Sequence, residues 1–329
     1  MPKYKPYPIP LAIISQIKSV YNIDSDEEAC QPAIIREFYD TLYANQLEGI
    51  KEVKKEDREI TFNGIKVNIS ILRPSNTPLN EVLPVMLFLH GGGWIVGSYD
   101  THRILTNELV NLIPACIIFV HFSYSPEVKH PVALEECYAA LCWVHQHAQS
   151  IYVNPTRLVI AGDSAGGNLC AGLAILAKER QKIHLISYQL LFYPVLDVDF
   201  DTKSYIENKD NSVLSRDSMK YVWDAYLTSH QGCYQKEVTA VPMSASLDVL
   251  KGLPPVLMII AEKDVLRTEG ELYSKKLMKA GVNVVCTIYL GTHHGFLTLP
   301  QMSKPQSEAA LEQIIGILRK HWNSQSNKL

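Results

Sequence analysis

From residue 60 onward, short apolar runs rich in β-branched residues alternate with stretches whose apolar positions follow a helical period. That alternation predicts βα units wound around a largely parallel sheet, an α/β fold class. The predicted strands are Ile65 to Arg73, Val85 to His90, Cys116 to Phe122, Leu158 to Gly162, His184 to Phe192, Pro255 to Ala261 and Val282 to Tyr289. Each stops at Gly, Pro or polar punctuation, and apolar character on both faces predicts burial. Thr101 to Leu112, Leu134 to Gln149, Asn168 to Arg180, Thr268 to Ala280 and Ser307 to His321 are the predicted helices, with Gly281 as a stop for the fourth.

Two segments break the alternation. In residues 1–50, Leu11, Ile14, Ile17 and Tyr21, then Ile34, Ile35, Phe38 and Leu42, mark two amphipathic helices, with Pro32 near the start of the second. The second segment, about 199–239, carries Tyr205, Tyr221, Trp223 and Tyr226 among polar residues. It far exceeds the usual αβ connection of about 2 to 6 residues, so it reads as a functional insertion or lid, or as an excursion packing its aromatics on the body. No internal repeat or low-complexity tract is present.

With 329 residues and 47% apolar content, the chain buries a large core, and one α/β domain with appended helices is favoured over two equal domains. A formal charge of −3 leaves no basic stripe for nucleic acid, and Lys51 to Arg58, which mixes both signs, reads as a solvated connector. The seven cysteines (Cys30, Cys116, Cys137, Cys142, Cys170, Cys233 and Cys286) are scattered without a CxxC pair, as expected of reduced thiols. The N-terminal stretch is broken by prolines and charges, poor as a signal and too short to span a bilayer, so a soluble cytoplasmic protein is expected.

The chemistry concentrates at strand ends. Gly162-Asp163-Ser164-Ala165-Gly166 follows the run Leu158 to Ala161 and precedes a helical stretch, which makes Ser164 a candidate nucleophile on a sharp strand-to-helix turn. Hydroxyl attack on a carbonyl needs a base, an acid to orient it, and donors where negative charge develops. Gly91-Gly92-Gly93, after the strand ending at His90, lets backbone N–H groups turn inward, so Gly92, Gly93 and Ala165 are the candidate oxyanion donors. A phosphate cradle is the other reading of such a glycine run, but no Lys-Ser/Thr pair follows and GxGxxG spacing is absent. His294, beside Gly295 on the loop after the last strand, is the candidate base, with His293 as its rival. Asp264 follows the strand Pro255 to Ala261 and completes the order Ser, Asp, His; Asp197 is the rival acid. Asp264 is also placed to cap the next helix, and one carboxylate oxygen can do that while the other accepts from histidine. No third ligand accompanies His293-His294, and His145 and His147 do not share a helix face, so neither metal nor cofactor is expected.

HGGGW at 90–94, GDSAGGN at 162–168, PPVLMIIAEKDVLRTEG at 254–270 and HHGF at 293–296 together resemble the hormone-sensitive-lipase-like esterases, family IV of the bacterial esterases. The resemblance covers most of residues 60–300. It implies an α/β-hydrolase fold with Ser164 as nucleophile, Asp264 as acid, His294 as base, and Gly92, Gly93 and Ala165 as the oxyanion hole. It also implies a helical cap built from the N-terminal helices, residues 1–50, and from an insertion at about 199–239 in a catalytic domain spanning 51–329. The implied activity is hydrolysis of short- to medium-chain carboxylic esters. An amidase, deacetylase or lactone hydrolase with the same triad is the near alternative, and a noncatalytic binding protein on this scaffold a more distant one. The chain departs from the family where a YRLAPE-like run would stand, reading Phe122-Ser123-Tyr124-Ser125-Pro126-Glu127. The arginine is missing, and a structural adjustment with activity retained is expected there. The strand Val282 to Tyr289, if at a sheet edge, offers a place for two subunits to pair.

Overall fold

The computed structural model describes residues 11–44, 50–211, 213–228 and 237–326. Parts of both expected cap segments (1–10, 45–49, 212 and 229–236) and Cys233 lie outside the described residues. In chain order the elements begin with α1 (Leu11–Tyr21), α2 (Asp26–Ala29) and α3 (Pro32–Ala44), then the strands β1 (Val53–Phe62), β2 (Ile65–Pro74) and β3 (Leu83–Leu89). Next come α4 (Tyr99–Leu112), β4 (Cys116–His121), α5 (Val132–His147), β5 (Val153–Asp163), α6 (Ala165–Glu179) and β6 (Tyr188–Phe192). The chain continues through α7 (Lys203–Glu207), α8 (Arg216–Tyr226), α9 (Leu247–Leu250), β7 (Val256–Lys263), α10 (Arg267–Lys279), β8 (Val284–His293) and α11 (Lys304–Ser326).

The eight strands form one sheet in the order β1-β2-β4-β3-β5-β6-β7-β8. β1 and β2 pair antiparallel, as do β2 and β4, and every other pairing is parallel. Strand side chains alternate between the two faces. Val85, Leu87 and Leu89 enter one core cluster with Leu173 of α6 and Leu277 of α10. Met86 and Phe88 enter the other, with Leu105 of α4 and Ile314 and Leu318 of α11. The sheet is therefore clamped on both faces, and its parallel C-terminal ends are held in fixed register.

Two expectations need correction. The charged run Lys51 to Arg58 is no connector: it enters β1, which pairs with β2 from Val53↔Pro74 to Phe62↔Ile65. Asn63 and Gly64 both have positive φ (47° and 82°), the geometry of the tight two-residue hairpin turn that Asn-Gly favours. Charged residues suit this strand because it lies at the sheet edge, where most of its side chains meet water. The strand expected from His184 starts only at Tyr188, after a short 3₁₀ turn over Ile183–Leu185.

The two irregular segments form helices over the C-terminal ends of the strands. On α8, Met219, Val222, Trp223 and Tyr226 are buried at helical spacing, and Ser215 caps the helix by accepting from Ser218 N (3.1 Å). Tyr226 stacks on Trp94 at 4.0 Å between ring centres, which fixes α8 directly to the turn following the glycine run.

Candidate active site

β5 delivers the chain to Ser164, whose backbone adopts φ 53° and ψ −119° before α6 begins at Ala165. An L-residue in that region is strained, and such strain persists only where the surroundings hold it. Here Ser164 N donates to the Phe192 carbonyl at 2.9 Å. Close packing at the elbow demands glycine: a Cβ on Gly162 would lie 2.5 Å from the Gly166 carbonyl carbon, and one on Gly166 would overlap the Leu89 carbonyl oxygen. The serine hydroxyl is thereby pushed clear of the strand end.

Asp264 leaves β7 almost wholly buried, at 1% exposure. Its Oδ1 accepts from Leu266 N (3.0 Å) and its Oδ2 from His294 Nδ1 (2.7 Å). The expected division of labour between its two oxygens is present, although the backbone it holds is the loop ahead of α10, whose N-cap is Leu266. His294 Nε2 lies 2.9 Å from Ser164 Oγ. A carboxylate can only accept, so Nδ1 carries the proton and Nε2 presents its lone pair to the serine hydroxyl. Tyr193 packs edge-on against the imidazole, 5.0 Å between ring centres, and limits its rotation.

The rivals lie elsewhere. His293 faces Asn211 of the insertion (Nδ1 to Nδ2, 3.3 Å). Asp197 turns back on its own chain to accept from Val198 N at 2.8 Å, and burial pushes its carboxyl up.

Gly92 and Gly93 have φ of 110° and 62°, which turns the backbone after β3 inward. Both line a cavity of about 280 Å³ together with Ser164 and His294. Among the described residues the N–H groups of Gly92, Gly93 and Ala165 have no protein acceptor. The cavity's outer wall comes from the irregular segments, including Ile13 of α1, Tyr39 and Tyr43 of α3, and Met219 and Val222 of α8. A larger open depression of about 710 Å³ beside β1, β2 and α4 contains none of these catalytic candidates. No group of three or more His, Cys, Asp or Glu side chains among the described residues is arranged to hold a metal ion.

Three residues around the site escaped the sequence reading. Arg36 of α3 reaches across to the FSYSPE run, pairing with both carboxylate oxygens of Glu127 at 2.8 Å. It also donates to the carbonyls of Ile95 (2.5 Å) and Ser125 (3.0 Å) and stacks 4.6 Å from the centre of the Tyr124 ring. Ser123, at the position of the missing arginine, donates to the buried Glu136 carboxylate from both N and Oγ, each at 2.6 Å. The expected structural adjustment is thus a local pair of hydrogen bonds, with a guanidinium from α3 on the neighbouring glutamate. The other two, Asp163 and His102, lie against the glycine turn; Asp163 falls within the GDSAGGN run with nothing local to assign it a role, and no sequence signal marks His102.

A family model described as the alpha/beta hydrolase fold matches residues 86–298. The chain is 32% identical over 274 residues to carboxylesterase NlhH of Mycobacterium tuberculosis, covering 82% of this chain and 84% of that protein. It is 33% identical over 262 residues to a putative alpha/beta hydrolase of Acanthamoeba polyphaga mimivirus, covering 79% and 74%. Among solved structures, a fungal esterase from Rhizomucor miehei superposes with a TM-score of 0.86 at 34% identity, over 97% of this chain and 99% of that one.

Proposed function

The chain belongs to the hormone-sensitive-lipase-like branch of the alpha/beta-hydrolase fold and is a carboxylic ester hydrolase; from that premise we propose that it cleaves short- to medium-chain esters through Ser164, His294 and Asp264. The observation that carries the assignment is the single imidazole bridging Asp264 at 2.7 Å and Ser164 at 2.9 Å. Ser164 Oγ attacks the ester carbonyl carbon while its proton passes to His294 Nε2, and Asp264 stabilises the imidazolium that results. The N–H groups of Gly92, Gly93 and Ala165 receive the negative charge on the former carbonyl oxygen. Collapse of the tetrahedral intermediate breaks the bond to the alcohol, which leaves with the proton from His294. Water then attacks the acyl-serine, again losing a proton to His294, and the acid departs as Ser164 is restored.

Ser164→Ala should lower turnover of a p-nitrophenyl ester by at least about a thousandfold with an unchanged circular dichroism spectrum. Near-normal hydrolysis by that variant would sink the assignment. We assign α1, α3 and the 199–239 insertion to a cap over the catalytic domain, supported by their side chains in the cavity wall. A volume of about 280 Å³ suits a short acyl chain better than a triglyceride. Rates across p-nitrophenyl esters from acetate to palmitate test this, and a maximum at palmitate contradicts it.

Two coarser points extend the proposal. The cysteines among the described residues are all free, which supports a reducing compartment, the cytoplasm, testable by fractionation. β8 is an edge strand with Val285, Ile288 and Leu290 exposed, which supports a homodimer paired along that edge. Sedimentation velocity reads its mass directly, and a monomer at all concentrations refutes it. No helix among the described residues is long and apolar enough to cross a membrane.

A further inference from the structure

Oxyanion donors accelerate hydrolysis only if they are already aimed where charge develops, so the turn carrying Gly92 and Gly93 must be held from outside the reacting groups. Gly91, the residue just before that turn, is held at both its N–H and its carbonyl by buried side chains. Gly91 N donates to Asp163 Oδ1 at 2.9 Å, and the Gly91 carbonyl accepts from His90 Nδ1 at 2.8 Å. A Cβ on Gly91 would overlap the Asp163 carboxylate, so this approach exists only because residue 91 is glycine. His90 is itself wedged between aromatic rings, stacked on Phe122 at 4.2 Å and on Phe119 at 5.4 Å. Burial, with His102 nearby, pushes the His90 imidazole down to about 3, so the ring is neutral and its one proton serves the Gly91 carbonyl.

His102, in the first turns of α4 and 5% exposed, holds the other end. Its Nδ1 faces the Ser98 carbonyl (3.1 Å) and the Thr101 hydroxyl (2.8 Å). The Thr101 hydroxyl already donates to that same carbonyl, so Nδ1 must carry a proton. Nε2 sits 3.1 Å from Asp163 Oδ1 and 3.2 Å from Gly91 N. A protonated Nε2 donates to the carboxylate and a bare one accepts from Gly91, so in either state the ring bears on the same peptide. Burial alone would raise the Asp163 carboxyl, but His102 and the Gly91 N–H outweigh it and hold the group below the usual carboxylate range. Asp163 also precedes Ser164 directly, so one carboxylate joins the nucleophile's elbow to the oxyanion turn.

We propose that His102 is a positioning residue for ester hydrolysis, locking through Asp163 the Gly91 peptide and thereby the aim of the Gly92 and Gly93 N–H groups relative to Ser164. The proposal rests on the assignment of those N–H groups as the oxyanion hole. His102→Phe keeps an aromatic ring and removes both polar contacts, whereas His102→Gln keeps a polar amide that can donate to Asp163 or accept from Gly91. The Phe variant should lose about 10- to 100-fold in kcat on p-nitrophenyl butyrate, the scale of a slight misplacement of reacting groups, with KM within about threefold of the parent. Its inhibition constant for butaneboronic acid, which binds Ser164 as a tetrahedral anion, should weaken in proportion to kcat/KM. The Gln variant should recover to within about fivefold of the parent in both measurements.

Parental kcat and boronate affinity in His102→Phe overturn the proposal. So does an equal loss in the Phe and Gln variants that tracks a fall in melting temperature, the mark of a purely structural role. If His102→Phe does not fold, Asp163→Asn reads the same quantity, because it keeps an acceptor for Gly91 and weakens the hold of His102. A kcat between those of the parent and Ser164→Ala is expected, and parental kcat refutes the idea. An active Ser164→Ala would instead overturn the underlying assignment, so the two failures are distinguishable.

Discussion

Glu269, in the first turn of α10, is 1% exposed. Its Oε1 accepts from Leu196 N at 2.7 Å, while Oε2 has no partner among the described residues. Burial, with Asp197 and Asp264 adding negative charge nearby, pushes its carboxyl well above the usual range. The same burial favours the protonated form, which would place no second anion near Asp264, the partner of His294. A folded-state value raised above the unfolded one gives stability that is full below the unfolded carboxylate range and is lost as pH rises through the folded value. Glu269→Gln mimics the protonated acid and keeps the acceptor for Leu196. Its melting temperature relative to the parent should therefore be higher at pH 8 than at pH 5, and calorimetry showing the same difference at both values would exclude a buried proton. Glu269 carries no mark in the sequence for the reason that hides His102: its surroundings depend on burial and on neighbours distant in sequence, Leu196 among them. Ser164, Asp264 and His294, the side chains proposed as catalytic, stood out as candidates because each follows a strand closely, and the fold brings them within hydrogen-bonding distance.

At the level of elements, apolar runs marked the interior strands and apolar period the long helices, since β3, most of β7 and the second half of β5 from Leu158 are buried on both faces. β1 was illegible by that signal because an edge strand with water beside it carries charge in place of an alternating apolar face, and the Asn-Gly turn was its remaining mark. α3 was legible as a helix, yet nothing local to it announced Arg36, whose partner Glu127 is 91 positions away. That side chain ties α3 to the segment following the glycine turn through Ile95 and to the FSYSPE loop through Ser125 and Glu127. Glu127 is 44% exposed, so solvent screens much of the ion pair, and the two carbonyl contacts should carry most of the effect. Arg36→Lys keeps the charge and loses the planar fork. It should cost about 1 to 3 kcal/mol in denaturant unfolding and raise KM more than it lowers kcat, because α3 lines the pocket and contributes no reacting group. A pure kcat loss at constant KM would contradict this view of α3. Arg36 also holds the Glu127 carboxyl below the usual range, so the pair's contribution is present above the unfolded carboxylate value and disappears as pH falls through the lowered folded one.

For the whole molecule, division of labour follows from packing. The sheet, with a core cluster on each face, fixes the strand ends and hence Ser164, Asp264 and His294, while helices from distant parts of the chain line the cavity beside them. That volume could not be read from sequence, since it depends on how α1, α3 and α8 meet over the glycine turn. Met219 is an informative probe: it is 1% exposed, lines the cavity, and belongs to a helix anchored by the Tyr226 stack on Trp94. Truncation to alanine opens space beside the cavity proposed to hold the acyl chain, without altering Ser164, His294 or the glycine turn. It removes buried methylenes at a cost of about 2 to 5 kcal/mol. Met219→Ala should therefore lower the melting temperature while shifting the ratio of kcat/KM between p-nitrophenyl octanoate and butyrate toward octanoate. If the ratio stays at the parental value in a folded variant, α8 does not bound the acyl chain, and the limit must come from the N-terminal helices.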